Sequence, residues 1–182
     1  MSNPYVPNGI PGVMTGSGKD TARLKVDIGQ TGFFERREFR ISQQYSIAHG
    51  ASLVFKFSSP VNFILWEQVI TCDANIVIFE AVVGGTPIGT FDTPVTVWGK
   101  NRMDEQPLYV GQITISTGGT VSGGQVAEVV RVKSANATAQ QASVGFTASS
   151  ERGLPAGDYY LRLTADGGTA TGVFSLIWEE RP

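Results

Sequence analysis

Short runs of β-branched and aromatic residues recur along this chain, and nearly all are closed by glycine, proline or Asp-Gly. No window of a dozen residues carries the i, i+3, i+4, i+7 apolar stripe of an amphipathic helix. Side chains that alternate across a pleat, joined by turns that demand positive φ, leave a strand-and-turn fold as the expectation. The strands expected are 23–28, 37–47, 52–57, 63–70, 76–83, 95–98, 109–116, 127–133, 142–146, 159–164 and 173–178. Gly84-Gly85, Gly118-Gly119, Gly123-Gly124 and Asp166-Gly167-Gly168 read as turns, the last as a hairpin. Residues 133–141 are small and polar, a loop or one helical turn.

Alternation sorts the faces. Leu53, Phe55 and Phe57 oppose Val54 and Lys56; Tyr159, Leu161 and Leu163 oppose Tyr160 and Arg162; Phe174, Leu176 and Trp178 oppose Val173, Ser175 and Ile177. The expected buried set includes Phe55, Phe57, Ile78, Ile113, Leu161, Leu163 and Trp178. Val54, Tyr160 and Ile177 fall on nominally outer faces, where a subunit interface would cover them. The expected fold is all-β: an antiparallel β-sandwich, jelly-roll-like. An immunoglobulin-like sandwich is the weaker choice, since the Cys…Trp…Cys pattern is missing.

With 182 residues the chain is about one domain long. Residues 1–20 crowd Pro4, Pro7, Pro11, Gly9, Gly12, Gly16 and Gly18 into an extended Gly/Pro-rich N-terminal arm, leaving 21–182 as a single β-sandwich domain. The arm nonetheless keeps Tyr5, Val6, Ile10, Val13 and Met14, more apolar side chains than a spacer needs. Tyr5, Val6, Ile10 and Met14 are therefore candidate anchors on a neighbouring subunit or surface. Gly18-Lys19 resembles the end of a phosphate-binding loop, but Val13 and Asp20 stand where that motif needs glycine and a hydroxyl.

The net charge of −2 argues against a general nucleic-acid binder. No basic start with an apolar run marks a signal peptide, and no stretch is long and apolar enough for a membrane helix, so a soluble chain without membrane contact is expected. Cys72 is the only cysteine and reads as a buried, inert thiol; His49, the only histidine, reads as a turn residue. The acids Asp27, Glu67, Asp73, Glu80, Asp92, Asp104 and Glu105 are scattered and form no calcium-loop pattern. Neither a catalytic set, a metal site nor a cofactor site is expected. Asn136-Ala137-Thr138 matches a glycosylation acceptor and is expected to be unmodified. Trp66, Trp98 and Trp178 read as one core residue from each of three strands, with a carbohydrate-stacking platform as the alternative. Glu35-Arg36-Arg37-Glu38-Phe39-Arg40 is the one basic knot: a solvated strand start, or with Arg36, Arg37 and Arg40 a contact for an acidic protein partner.

Residues 94–117 place a nine-residue polar loop between two strand-like segments, and Lys100 and Arg102 in it are further candidate contacts. Three pieces resemble, in order, the head decoration (cement) proteins of tailed bacteriophages. They are Ile76-Val77-Ile78-Phe79-Glu80, the loop Trp98-Gly99-Lys100-Asn101-Arg102-Met103, and Leu154-Pro155-Ala156-Gly157-Asp158-Tyr159-Tyr160-Leu161-Arg162-Leu163 with the closing Phe174-Ser175-Leu176-Ile177-Trp178-Glu179. Met103 stands where that family has a small polar residue. The resemblance implies a jelly-roll protein on the outer capsid surface of the virion, present in the host cytoplasm during assembly. It also implies a homotrimer, the major capsid protein as partner, no cofactor and no contact with nucleic acid. The alternatives are a phage tail, baseplate or fibre protein and, from another class, a carbohydrate-binding module.

Removing residues 1–20 is expected to leave the melting temperature within a few degrees, while weakening subunit or capsid binding about tenfold or more, ~1.4 kcal/mol. Calorimetry and sedimentation of the truncated chain check both halves of this expectation.

Overall fold

The computed structural model describes residues 31–101, 109–134, 142–146 and 152–182. The arm residues Tyr5, Val6, Ile10 and Met14, the expected strand 23–28, Arg102, Met103 and the 135–141 segment lie outside them. A four-residue helix, α1 (Thr31–Phe34), precedes β1 (Glu38–Ile47), β2 (Ser52–Ser59), β3 (Asn62–Cys72) and β4 (Ala74–Val83). Four short strands follow: β5 (Thr86–Ile88), β6 (Thr93–Pro94), β7 (Trp98–Gly99) and β8 (Thr114–Thr117). The chain continues through β9 (Thr120–Ser122), β10 (Gln125–Lys133), β11 (Ala142–Phe146), β12 (Arg152–Leu154) and β13 (Gly157–Arg181).

The protein is an all-β antiparallel sandwich whose two curled leaves share one strand. The N-terminal half of β13 pairs with β2 and β4 in a first leaf ordered β10-β4-β13-β2-β8-β6. Its C-terminal half pairs with β1 and β3 in a second leaf, flanked by β7 on β1 and by β11 and β12 on β3. From β1 to β4 the chain alternates between leaves, the jelly-roll-like wrapping the sequence suggests. The body Gly32–Pro182 forms one compact unit.

Asp166-Gly167-Gly168 is therefore a corner inside a 25-residue strand, and the expected hairpin does not form. Gly167 and Gly168 have φ of 77° and 151°, and the register against β4 slips between Asp166 and Thr171. A side chain at Gly168 would collide with Asn75, itself at φ 62°, whose Nδ2 donates to Thr169 O at 2.6 Å. Glycine permits the turn, and the bulge redirects the strand into the other leaf.

Between the leaves lies an aromatic core. The Phe174 ring from the second leaf stands 5.1 Å from Phe55 and 5.9 Å from Phe79 of the first, and Trp178 meets Phe57 edge-on at 5.2 Å. Leu161, Leu163, Ile41, Ile70 and Ile113 fill the remainder. Gly172 sits opposite Tyr45 because Thr71 O and the Tyr45 hydroxyl, itself donating to Thr71 O at 2.6 Å, occupy the space a β-carbon would need.

Of the expected buried set, Ile78 is corrected: its partners Thr164 and Arg131 place it half-buried on the outer face, while Val77 and Phe79 point inward. Val54 and Tyr160 need no partner subunit for cover. The separate β5–β9 ribbon lays Val121 over them with Val82, and Phe91 packs 5.8 Å from the Tyr160 ring. Ile177 is half-buried. The expected strands 95–98 and 109–116 shrink to β7 and β8; β8 begins only after Gln112 and Ile113, whose backbone N–H groups donate to a carboxylate and not to a neighbouring strand. Trp178 is buried and Trp66 half-buried, but Trp98 is 47% exposed, so the three tryptophans do not share a core role.

Leu163→Ala, at a fully buried position between the leaves, is expected to cost about 2–5 kcal/mol in urea unfolding. A loss under roughly 0.5 kcal/mol would mean that the leaf packs elsewhere.

Candidate functional site

Just before its last residue, Arg181, β13 carries Glu179 and Glu180, whose side chains leave the strand on opposite faces, and both are buried with Glu38. Glu179 and Glu38 are direct partners across the β1–β13 ladder. The segment from Gly32 to Arg37 folds over this pair; a β-carbon at Gly32 would overlap the Glu179 carboxyl. Arg37 N donates to Gly32 O at 2.8 Å, Arg36 takes φ 60°, and Glu180 N donates to Arg37 O at 2.9 Å.

The cations gather round these carboxylates. Lys100 Nζ donates to Glu38 Oε2 at 2.7 Å and stands 5.9 Å above the Phe33 ring. Arg181 Nη2 lies 3.0 Å from Glu179 Oε2, and Arg37 pairs with Glu35 and, at 3.6 Å, with Glu179 Oε1. Asn101 Nδ2 donates to Phe33 O at 3.1 Å, so the loop start and the N-terminal segment are tied to the same strand end. On the inner face Glu180 receives Tyr109 Oη at 2.8 Å, Gln112 N at 2.9 Å and Ile113 N at 3.1 Å. Burial, then the hydrogen bond and charge of Glu180, push the Tyr109 hydroxyl up to about 12. These groups hold chain segments together; Glu180 has both oxygens engaged by donors from the fold.

Among the sequence-predicted contacts, Arg36 is buried, and Arg37 and Lys100 spend their charge inside the chain. Arg40 alone of the described four is exposed, on the outer face of the second leaf opposite Ile177 and Trp98. Tyr5, Val6, Ile10, Met14 and Arg102 lie outside the described residues. The burial of Glu38 and Glu179, both named in the sequence only as part of longer pieces, was not foreseen, and Glu180 and Gln68 were not singled out at all, although Glu180 shares the alternation of Phe174, Leu176 and Trp178 and was legible as inward-facing. Cys72 is buried, and burial pushes its thiol up; His49 is exposed in the turn between β1 and β2. Among the described residues no three acids, histidines or cysteines converge as a metal site.

Two features face outward or stay open. The outer face of the first leaf is ion-paired, with Arg162 Nε on Glu80 Oε2 at 2.7 Å and Arg131 Nη2 on Asp166 Oδ2 at 2.9 Å. Beside these pairs, Val126 and Val129 of β10 are 41% and 61% exposed, and β10 pairs only with β4 among the described strands. Between the leaves, next to β4 and β10, lies an apolar cavity of about 310 Å³ with Gln68 in its wall. No known protein family, curated protein or solved structure matches the chain.

The raised Tyr109 value carries a sign. The unfolded chain releases this proton near the ordinary value of 10.0 and the folded chain near 12, so the stability it contributes is intact below pH 10 and lost as pH rises toward 12. Tyr109→Phe should therefore flatten the fall of urea-unfolding stability across that interval relative to the unaltered chain; identical slopes would detach Tyr109 from Glu180.

Proposed function

We propose that this chain is a structural protein of a bacteriophage virion that decorates and stabilises the outer capsid surface. The observation that carries the reading is β10, a nine-residue edge strand with Val126 and Val129 turned to solvent. Among the described strands β10 has β4 as its one partner; an apolar strand at a sheet edge is a hazard in an isolated sandwich, and a seat against other subunits removes it. The ordered sequence pieces that resemble cement proteins, and the jelly-roll-like wrapping of the leaves, support the same reading.

On this proposal the work is mechanical. A homotrimer seated where major capsid subunits meet buries additional area across each seam, and many symmetry-related copies act together against internal pressure. No cofactor takes part, and the acidic chain stays outside the shell, away from the packed nucleic acid. Arg40 and the exposed Trp98 would meet the capsid or a neighbouring copy on the opposite leaf.

Sedimentation equilibrium should give a trimer, and co-sedimentation with undecorated capsids should give saturable binding. Val126→Lys combined with Val129→Lys should weaken one or both about tenfold or more, ~1.4 kcal/mol, with an unchanged circular dichroism spectrum. A monomer that ignores capsids overturns the proposal. Glycan-array binding abolished by Trp98→Ala would favour the carbohydrate-binding reading in its place.

A further inference from the structure

The outer face of the second leaf holds two opposite charges that the fold does not pair. Cross-strand registers set Trp98 of β7, Arg40 of β1, Ile177 of β13 and Glu67 of β3 side by side in one row. Direct cross-strand partners share a face, and Ile177 alternates with the buried Leu176 and Trp178, so the row points outward. Arg40 is exposed, and Ile177 and Glu67 are half-buried. In the rows behind them Val69 and Val173, also half-buried, continue an apolar strip along the same face.

Outward charges on the first leaf are taken up within the chain: Arg162 by Glu80, Lys56 by Asp158, Arg131 by Asp166. Arg40 and Glu67 differ, since neither has an ion pair or a side-chain hydrogen bond among the described residues. Ile177 keeps them two strand spacings apart, roughly 10 Å, with the cation on one side of the apolar strip and the anion on the other.

That order is complementary to itself. Sheets packed face to face keep their strands roughly aligned. A two-fold axis between two copies, running along β13, lays β1 of each copy over β3 of the other. Arg40 then faces the second copy's Glu67, Glu67 faces its Arg40, and Ile177 meets Ile177. An axis turned across the strands would set Arg40 on Arg40 and Glu67 on Glu67, so the charges admit the first arrangement and reject the second. A uniformly acidic or basic partner would satisfy one of the two charges and repel the other.

We infer that this face is a contact between two copies of the chain, an isologous pairing made by two Arg40–Glu67 ion pairs flanking Ile177. It rests on the second leaf alone, while the virion role rests on β10 of the first. The pairing therefore doubles whatever unit that edge builds, one chain or three.

Sedimentation equilibrium of the full-length protein at rising concentration should show the mass double from that of the unit present at low concentration. The Ile177 methyl resonance should shift in step with it. Arg40→Glu makes the face wholly acidic and Glu67→Arg makes it wholly basic, so each variant alone should fail to double, with an unchanged circular dichroism spectrum. Mixed in equal amounts, the two should pair with each other, because the acidic face of one meets the basic face of the other. The inference is overturned if the unaltered protein never doubles up to its solubility, or doubles with the Ile177 methyl unmoved; both readouts need no variant. It also fails if either variant alone doubles as readily as the unaltered chain, or if the folded variants do not pair when mixed. A single chain that doubles would remove the trimer and keep this contact; a trimer that never doubles would do the reverse.

Discussion

The sandwich depends on one strand belonging to both of its leaves. β13 spends its first half between β2 and β4 and its second half between β1 and β3, so all four long strands before β10 hydrogen-bond to it. A central strand of this kind couples the leaves through continuous backbone, where a sandwich of separate sheets is held by side-chain packing alone. The coupling requires a corner that neither breaks the strand nor leaves backbone groups unpaired. Gly167 and Gly168 provide the positive φ, and Asn75 takes up the Thr169 carbonyl that the bulge frees. The leaves then close on Phe55, Phe79 and Phe174, whose rings come from both halves of the arrangement.

The end of that strand is also where the irregular parts of the chain are fastened. Glu179 and Glu38 draw in Arg37, Arg181 and Lys100 on one face, while Glu180 collects Tyr109, Gln112 and Ile113 on the other. Burying three carboxylates is costly unless each is paired, and a pair broken on one side is worse than no pair at all. The clamp is therefore a device of arrangement. It selects one path for the segment before β1 and one for the segment before β8, since any other path strands a charge in the interior. The same geometry removes Arg36, Arg37 and Lys100 from the surface chemistry available to a partner.

Among the described residues, Arg40 and Trp98 stay exposed on one leaf, and Val126 and Val129 on the edge of the other. Several described surface charges are paired within the chain, as in Arg131 with Asp166 and Lys56 with Asp158.

Strand propensity, alternation and glycine-rich turns were enough to determine an all-β sandwich and most of its core. Phe55, Phe57, Leu161, Leu163 and Trp178 are inward because a period of two leaves them no other face. The local signal could not say that Asp166-Gly167-Gly168 is a corner and not a hairpin, since both need the same positive φ; the choice rests on which distant strands pair with each flank. Nor could it seat Ile78 outward or cover Val54 and Tyr160 with the β5–β9 ribbon, because register and overlay are set by partners far away in sequence. Arg36 and Arg37 looked like surface charge for the same reason. Whether an arginine is solvated or buried depends on where a carboxylate more than a hundred residues later comes to rest, and only the tertiary structure decides that.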